Sequence, residues 1–116
     1  MYKKTDSGPL TEGVYYILLS LYRPLHGYGI MQNVKKISNG RVSISAGTLY
    51  GALAALSEKG WIAPCKEKTD TRKKEYVITQ EGIKRIEEEI KRLEELLKTG
   101  KMVTGRITAY CEGVFL

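Results

Sequence analysis

Histidine occurs once, at position 26, and cysteine twice, at 65 and 111. No serine or cysteine is placed in sequence to pair with His26, so a nucleophile–base triad has no support and an enzyme is not expected. Cys65 and Cys111 stand in neither a CxxC nor any other metal-like spacing, so no metal and no cofactor are expected. The chain reads as intracellular, and a disulfide between them is not expected either. No stretch approaches the roughly 18 consecutive apolar residues that span a bilayer, which excludes a membrane partner of that kind. The first twelve residues lack the apolar core of a signal peptide, and the cytoplasm is the expected compartment. There is no internal repeat and no low-complexity segment. Most carboxylates fall in one C-terminal stretch, where they read as solvated surface charge.

What the chain does have is a basic balance. Its 116 residues carry a formal net charge of +6, with a pI of about 9.3. That length suits one small domain with an appendage. Its charge suits an acidic partner, although charge alone equally serves solubility.

The segment from Ser45 to Gly60 is the most informative. Leu49, Ala52, Leu53 and Leu56 recur at i, i+3, i+4 and i+7, which predicts one buried stripe of a helix. Ser45 is its expected N-cap and Gly60 its left-handed stop. The opposite side carries Gly47, Gly51 and Ala54, a face smooth enough for a large object to approach the backbone. Before it, a helix is predicted from near Thr11, with Val14, Ile17, Leu18 and Leu21 inward and Pro24 closing it. Leu25 to Gly29 reads as a turn. A second helix is predicted from about Tyr28 to Ile37, burying Ile30, Val34 and Ile37, with Lys35 and Lys36 outward and Ser38-Asn39-Gly40 as its stop. Arg41 to Ile44 reads as a short extended piece.

After Gly60, Trp61-Ile62-Ala63 and Lys74–Ile78 read as two strands of a small hairpin. Pro64 points to an edge or a bulge, and Thr69-Asp70-Thr71 is the turn. Thr79 caps a fourth helix predicted to run to about Lys98, with Gly100 as its stop. The expected fold is mainly α with a small β-hairpin: a winged helix-turn-helix over residues 1–79, followed by a C-terminal dimerisation helix and tail over 80–116.

In that arrangement the third helix fits the major groove of double-stranded DNA. Ser43, Ser45 and Thr48 are placed to donate hydrogen bonds to phosphates or base edges, and Tyr50 to reach the backbone. Lys35 and Arg41 flank the helix. Lys66, Lys68, Arg72, Lys73 and Lys74 sit on and beside the hairpin turn, where phosphate neutralisation would give salt-dependent affinity. Before Lys59 the helix holds no Arg, Asn or Gln, so strong bidentate base reading from it is not expected. Ile83, Ile86, Ile90, Leu93 and Leu97 step by three and four, an a/d rhythm that calls for a partner helix. That partner is either a second copy of the chain or the first helix, and the second copy is favoured. Tyr15, Tyr16 and Tyr22 cluster near the first helix and are candidates to line a pocket for a small effector. The competing reading is that these are core or interface residues.

Leu25-His26-Gly27-Tyr28-Gly29-Ile30, Gly47-Thr48-Leu49-Tyr50, Leu53, Leu56, Gly60-Trp61-Ile62, Lys73 to Thr79 and Gly82 together resemble the PadR family of transcriptional regulators. The resemblance covers about residues 10–98, and a single C-terminal helix resembles the family's compact subgroup. It implies a cytoplasmic homodimer, usually a repressor, that binds operator DNA and is often released by a small aromatic or drug-like molecule. Thr48 and Tyr50 fall on the family's recognition-helix motif, and Lys73-Lys74 on its wing. Where the family commonly has proline after the motif tyrosine, this chain has Gly51, which loosens the helix by about 1 kcal/mol relative to alanine. Residues 101–116 match nothing in the family pattern. The alternative from another class is a winged helix whose smooth face docks a protein instead of a groove.

Overall fold

A computed structural model describes residues 8–65 and 74–111, with side chains as far as residue 106. Its elements run α1 (Glu12–Ser20), β1 (Leu25–His26), α2 (Gly27–Ile37), α3 (Ala46–Glu58), β2 (Ile62–Pro64), β3 (Glu75–Ile78) and α4 (Gln80–Cys111). The chain divides into two compact units, Met1–Ile86 and Glu87–Leu116.

Each helix starts in the same way, because the first N–H groups of a helix have no partner inside it. The hydroxyl of Thr11 accepts the amide of Val14 at 3.1 Å, Ser45 that of Thr48 at 3.3 Å, and Thr79 that of Gly82 at 3.1 Å. For α2 the cap is the imidazole of His26, whose Nδ1 accepts the amide of Gly29 at 3.1 Å. The chain's only histidine is therefore a helix cap. Helix α3 stops where Gly60 takes a positive φ of 80° and the Trp61 amide reaches back to Leu56 O at 3.0 Å.

The core of the first unit is apolar and continuous. It joins Ile17, Leu18 and Leu21 to Ile30 and Val34 of α2, Leu49, Leu53 and Leu56 of α3, Ile62 and Ile78 of the sheet, and Ile86 of α4. The three leucines are the predicted inner stripe of α3.

Four expectations are corrected. Leu25 and His26 are not a turn: they form a third strand, antiparallel to β3, with Leu25 opposite Tyr76, so the sheet has the order β1-β3-β2. A two-residue strand is held by backbone pairing and leaves no alternation to read. Gly27 to Gly29 belong to α2, which begins one residue before the expected start at Tyr28. Ile37 is 41% exposed; Ser38 takes the inward position four residues after Val34 and satisfies its hydroxyl by accepting the Val42 amide at 3.0 Å. Helix α4 does not end near Lys98 but runs through Gly100 and Gly105 to Cys111. Each interior glycine costs about 1 kcal/mol, but extending a formed helix adds one hydrogen bond per residue and avoids a second nucleation. Pro64 lies on β2, an edge strand, where its missing N–H breaks no ladder.

The end of α3 is fastened to the start of α4 through Thr79. Its hydroxyl donates to Gly60 O at 2.6 Å, and its amide donates to Trp61 O at 3.0 Å. The approach leaves no room for a side chain at Gly82: a Cβ there would overlap the Trp61 carbonyl oxygen and lie 2.6 Å from Ile78 Cγ1. The obstacle is backbone, which cannot rotate aside. The overpacking cost therefore stands at the upper end of the usual range of about 1–3 kcal/mol; less a helix-propensity gain of about 1 kcal/mol, Gly82→Ala is expected to destabilise the fold by about 1–2 kcal/mol net. Urea unfolding measures the difference, and a variant as stable as the parent contradicts the close approach.

Candidate nucleic-acid interface

The outward side of α3 is as bare as its residues suggested. Gly47 and Gly51 are exposed, and a Cβ at either would meet nothing within 4 Å. Ala54 is exposed beside them. A rigid convex partner can thus come close to the helix backbone along this side.

Polar groups gather at the N-terminal end of that face. Ser45 both accepts the Thr48 amide and donates its own hydroxyl proton to Thr48 Oγ1 at 3.1 Å. These two bonds hold the Thr48 side chain against the cap. Ser43, Ser45 and Thr48 are all exposed. The N-terminal end of a helix carries partial positive charge, so anionic oxygens are the natural acceptors there.

Tyr50 is 53% exposed. Its phenol crosses from α3 to the first residue of α2, where it packs on the buried Gly27. Tyr28, the next residue of α2, is exposed. Lys35 and Lys36 are exposed in the last turn of α2.

Arg41 is exposed but engaged: its Nη2 donates to Glu12 Oε1 at 2.6 Å. The hydrogen bond and the charge of Glu12 raise the Arg41 pKa, which keeps the guanidinium charged. An exposed pair of this kind adds little to stability and can exchange its carboxylate for a phosphate. Lys74 is exposed at the foot of the hairpin, with its ammonium 5.6 Å from the centre of the Tyr76 ring. Lys66, Lys68, Arg72 and Lys73, together with the turn at Thr69–Thr71, lie outside the described residues.

The five-residue apolar seam divides. Ile86 is 1% exposed and belongs to the core of its own chain, and Ile83 packs against that core. Ile90, Leu93 and Leu97 are exposed, as are Leu96, Met102 and Val103 further along the same helix. Leu96, Met102 and Val103 lie off the three-four rhythm, which is why the pattern did not single them out.

Tyr15 and Tyr16 pack edge to face, with ring centres 5.6 Å apart, and both lean on the core. Tyr22 is exposed. None of these tyrosines lines either of two clefts that described residues form. One is a polar depression bounded by Arg23, Gln32 and Lys36. The other, of about 230 Å³, lies behind α3 and is lined by Leu10, Val14, Leu56, Lys59, Trp61 and Arg85. The Trp61 ring in its wall has the Lys59 ammonium at 5.3 Å and the Arg85 guanidinium at 5.5 Å. Arg85 also donates to the Gly8 carbonyl. The fold brought these residues together from three separate segments, so no local motif announced them. Among the described residues no helix is long and apolar enough to cross a membrane.

A transcriptional regulator from Clostridium thermocellum is similar in structure, with a TM-score of 0.58 and 28% identity, covering 81% of this chain and 89% of that one. A PadR family transcriptional regulator from Eggerthella lenta is similar with a TM-score of 0.63 and 26% identity, covering 78% of this chain and 80% of that one. In sequence, an uncharacterized 37.1 kDa protein in transposon TN4556 of Streptomyces fradiae is 38% identical over 66 residues, 57% of this chain. The chain spans about a fifth, 18%, of that relative's length. The Transcriptional regulator PadR-like family matches residues 16–88. That match runs from the middle of α1 into α4, over every element that builds the bare α3 face and the sheet beside it, and the chain belongs to the PadR-like family of transcriptional regulators.

Proposed function

We propose that the chain is a homodimeric DNA-binding repressor of transcription, working in the cytoplasm. Residues 1–79 bind DNA and residues 80–116 pair the subunits. The observation that carries this reading is the α3 face, bare along its length and polar at its N-terminal end, next to a hairpin whose sequence is rich in Lys and Arg. Thr48 and Tyr50 anchor the helix on the groove, while Arg41, Lys35 and the hairpin cations neutralise phosphates. Ile90, Leu93 and Leu97 meet their counterparts in the second subunit. Two-fold pairing would set the α3 helices about one DNA turn, ~34 Å, apart. With so few base-reading side chains on α3, specificity rests on DNA shape and on that spacing. A small aromatic or drug-like effector releases the DNA, and the cleft behind α3 has the apolar lining and aromatic wall that suit it.

The experiment is selection of genomic fragments by the full chain at low salt, read by electrophoretic shift. A reproducibly enriched set of fragments is expected. If no fragment is enriched, the bare face is a protein-docking surface instead.

A further inference from the structure

The contact between Tyr50 and Gly27 is needed neither for the α3 stripe nor for the cap on α2, yet it fixes where the Tyr50 hydroxyl lies. Gly27 is buried at the first position of α2. A Cβ built on it would overlap the Tyr50 hydroxyl oxygen and lie 2.8 Å from Cζ and 3.4 Å from Cε1. The phenol therefore occupies the space a side chain at position 27 would take. We infer that Gly27 is a positioning residue for DNA binding: its missing side chain seats the Tyr50 phenol against the start of α2, so that the hydroxyl is held at the N-terminal end of that helix.

This inference rests on the DNA-binding reading and adds to it a residue with no polar side chain of its own. A Tyr50 free to sample its rotamers would give up conformational freedom on docking. Seated on Gly27, it presents its hydroxyl in one place at the first turn of α2, where phosphate oxygens are favoured. The obstacle at Gly27 also differs from that at Gly82. At Gly82 a side chain would strike backbone, whereas at Gly27 it would strike the far end of a half-exposed ring that can swing outward. Gly27→Ala should thus move Tyr50 and leave the fold in place. Alanine's higher helix propensity acts in the opposite sense, so weaker DNA binding would not reflect a weaker α2.

The test is a double-mutant cycle on the full chain with Gly27→Ala, Tyr50→Ala and the pair, each titrated against one selected DNA fragment by fluorescence anisotropy. Thermal melting and the ring signals of ¹³C-labelled tyrosine are followed in parallel. G27A is expected to bind DNA about fivefold more weakly or worse, with the pair no weaker than Y50A by more than about twofold, the non-additivity of residues in contact. The Tyr50 ring signal should shift in G27A while the melting temperature holds or rises. Two results overturn the inference: an equal loss from G27A with and without Tyr50, or an unmoved Tyr50 signal. A wild-type chain that binds no DNA at low salt overturns the DNA reading itself and with it this role, whereas an additive cycle overturns the role of Gly27 alone.

Discussion

Replacing Arg72, Lys73 and Lys74 together by alanine is expected to lower affinity for a selected DNA fragment by two to three orders of magnitude at about 0.1 M salt. Each cation that neutralises a phosphate contributes about 0.9 to the slope of log K against log salt, so three such cations contribute roughly 2.7 decades between 1 M and 0.1 M salt. The variant's slope should be shallower by about 3, close to one for each phosphate no longer neutralised. Near 1 M salt the two proteins should bind almost equally, because the counterions released by these side chains no longer favour binding. The loss should be similar on related and unrelated fragments, since phosphate contacts carry no sequence information. An unchanged slope would show that the hairpin does not touch DNA.

The second large effect concerns α4. Leu93 and Leu97 are 40% and 59% exposed, in a stretch, residues 81–98, whose other positions are mostly Lys, Arg and Glu. Substituting both by glutamate removes four partly exposed leucines from a two-fold interface; their exposed fractions amount to about two whole side chains, and at ~1.5–3 kcal/mol for each the dimer should weaken by about 3–6 kcal/mol. That is about two to four decades in dissociation constant, so a protein that sediments as a dimer should sediment as a monomer. The first unit should stay folded, because neither leucine belongs to its core and Ile86 does. DNA affinity should fall with the dimer, since each half-site is then bound alone. A variant that remains dimeric at micromolar concentration would mean that α4 uses another face.

These expectations could be drawn because much of the fold is written in local patterns. The Ser45 cap, the leucines at 49, 53 and 56, and the stop at Gly60 all agree with one another, and the structure keeps each of them. Local consistency of that sort is what makes an element readable. The elements that escaped depend on non-local contacts. Leu25 and His26 become a strand only because β3 lies alongside. Gly100 reads as a stop only when the momentum of a long formed helix is ignored. The a/d rhythm of α4 is real, but Ile83 and Ile86 are claimed by their own chain's core before any partner arrives. In the candidate interface, the exposure of Thr48 and Tyr50 was legible from their places on either side of the buried Leu49, Leu53 and Leu56 stripe. The seat of Tyr50 on Gly27 was not, since it joins residues of two helices that only the tertiary fold brings together.

A dimer that acts through duplex DNA, with two α3 helices held in register by the pairing of α4, leaves a characteristic mark on its site. The most direct measurement is a hydroxyl-radical footprint of the full chain on a selected fragment at low salt. Two protected patches are expected on one side of the duplex, with centres about 34 Å, one helical turn, apart. Uniform cleavage at protein concentrations that saturate the shift, or a single unpaired patch, would contradict this arrangement.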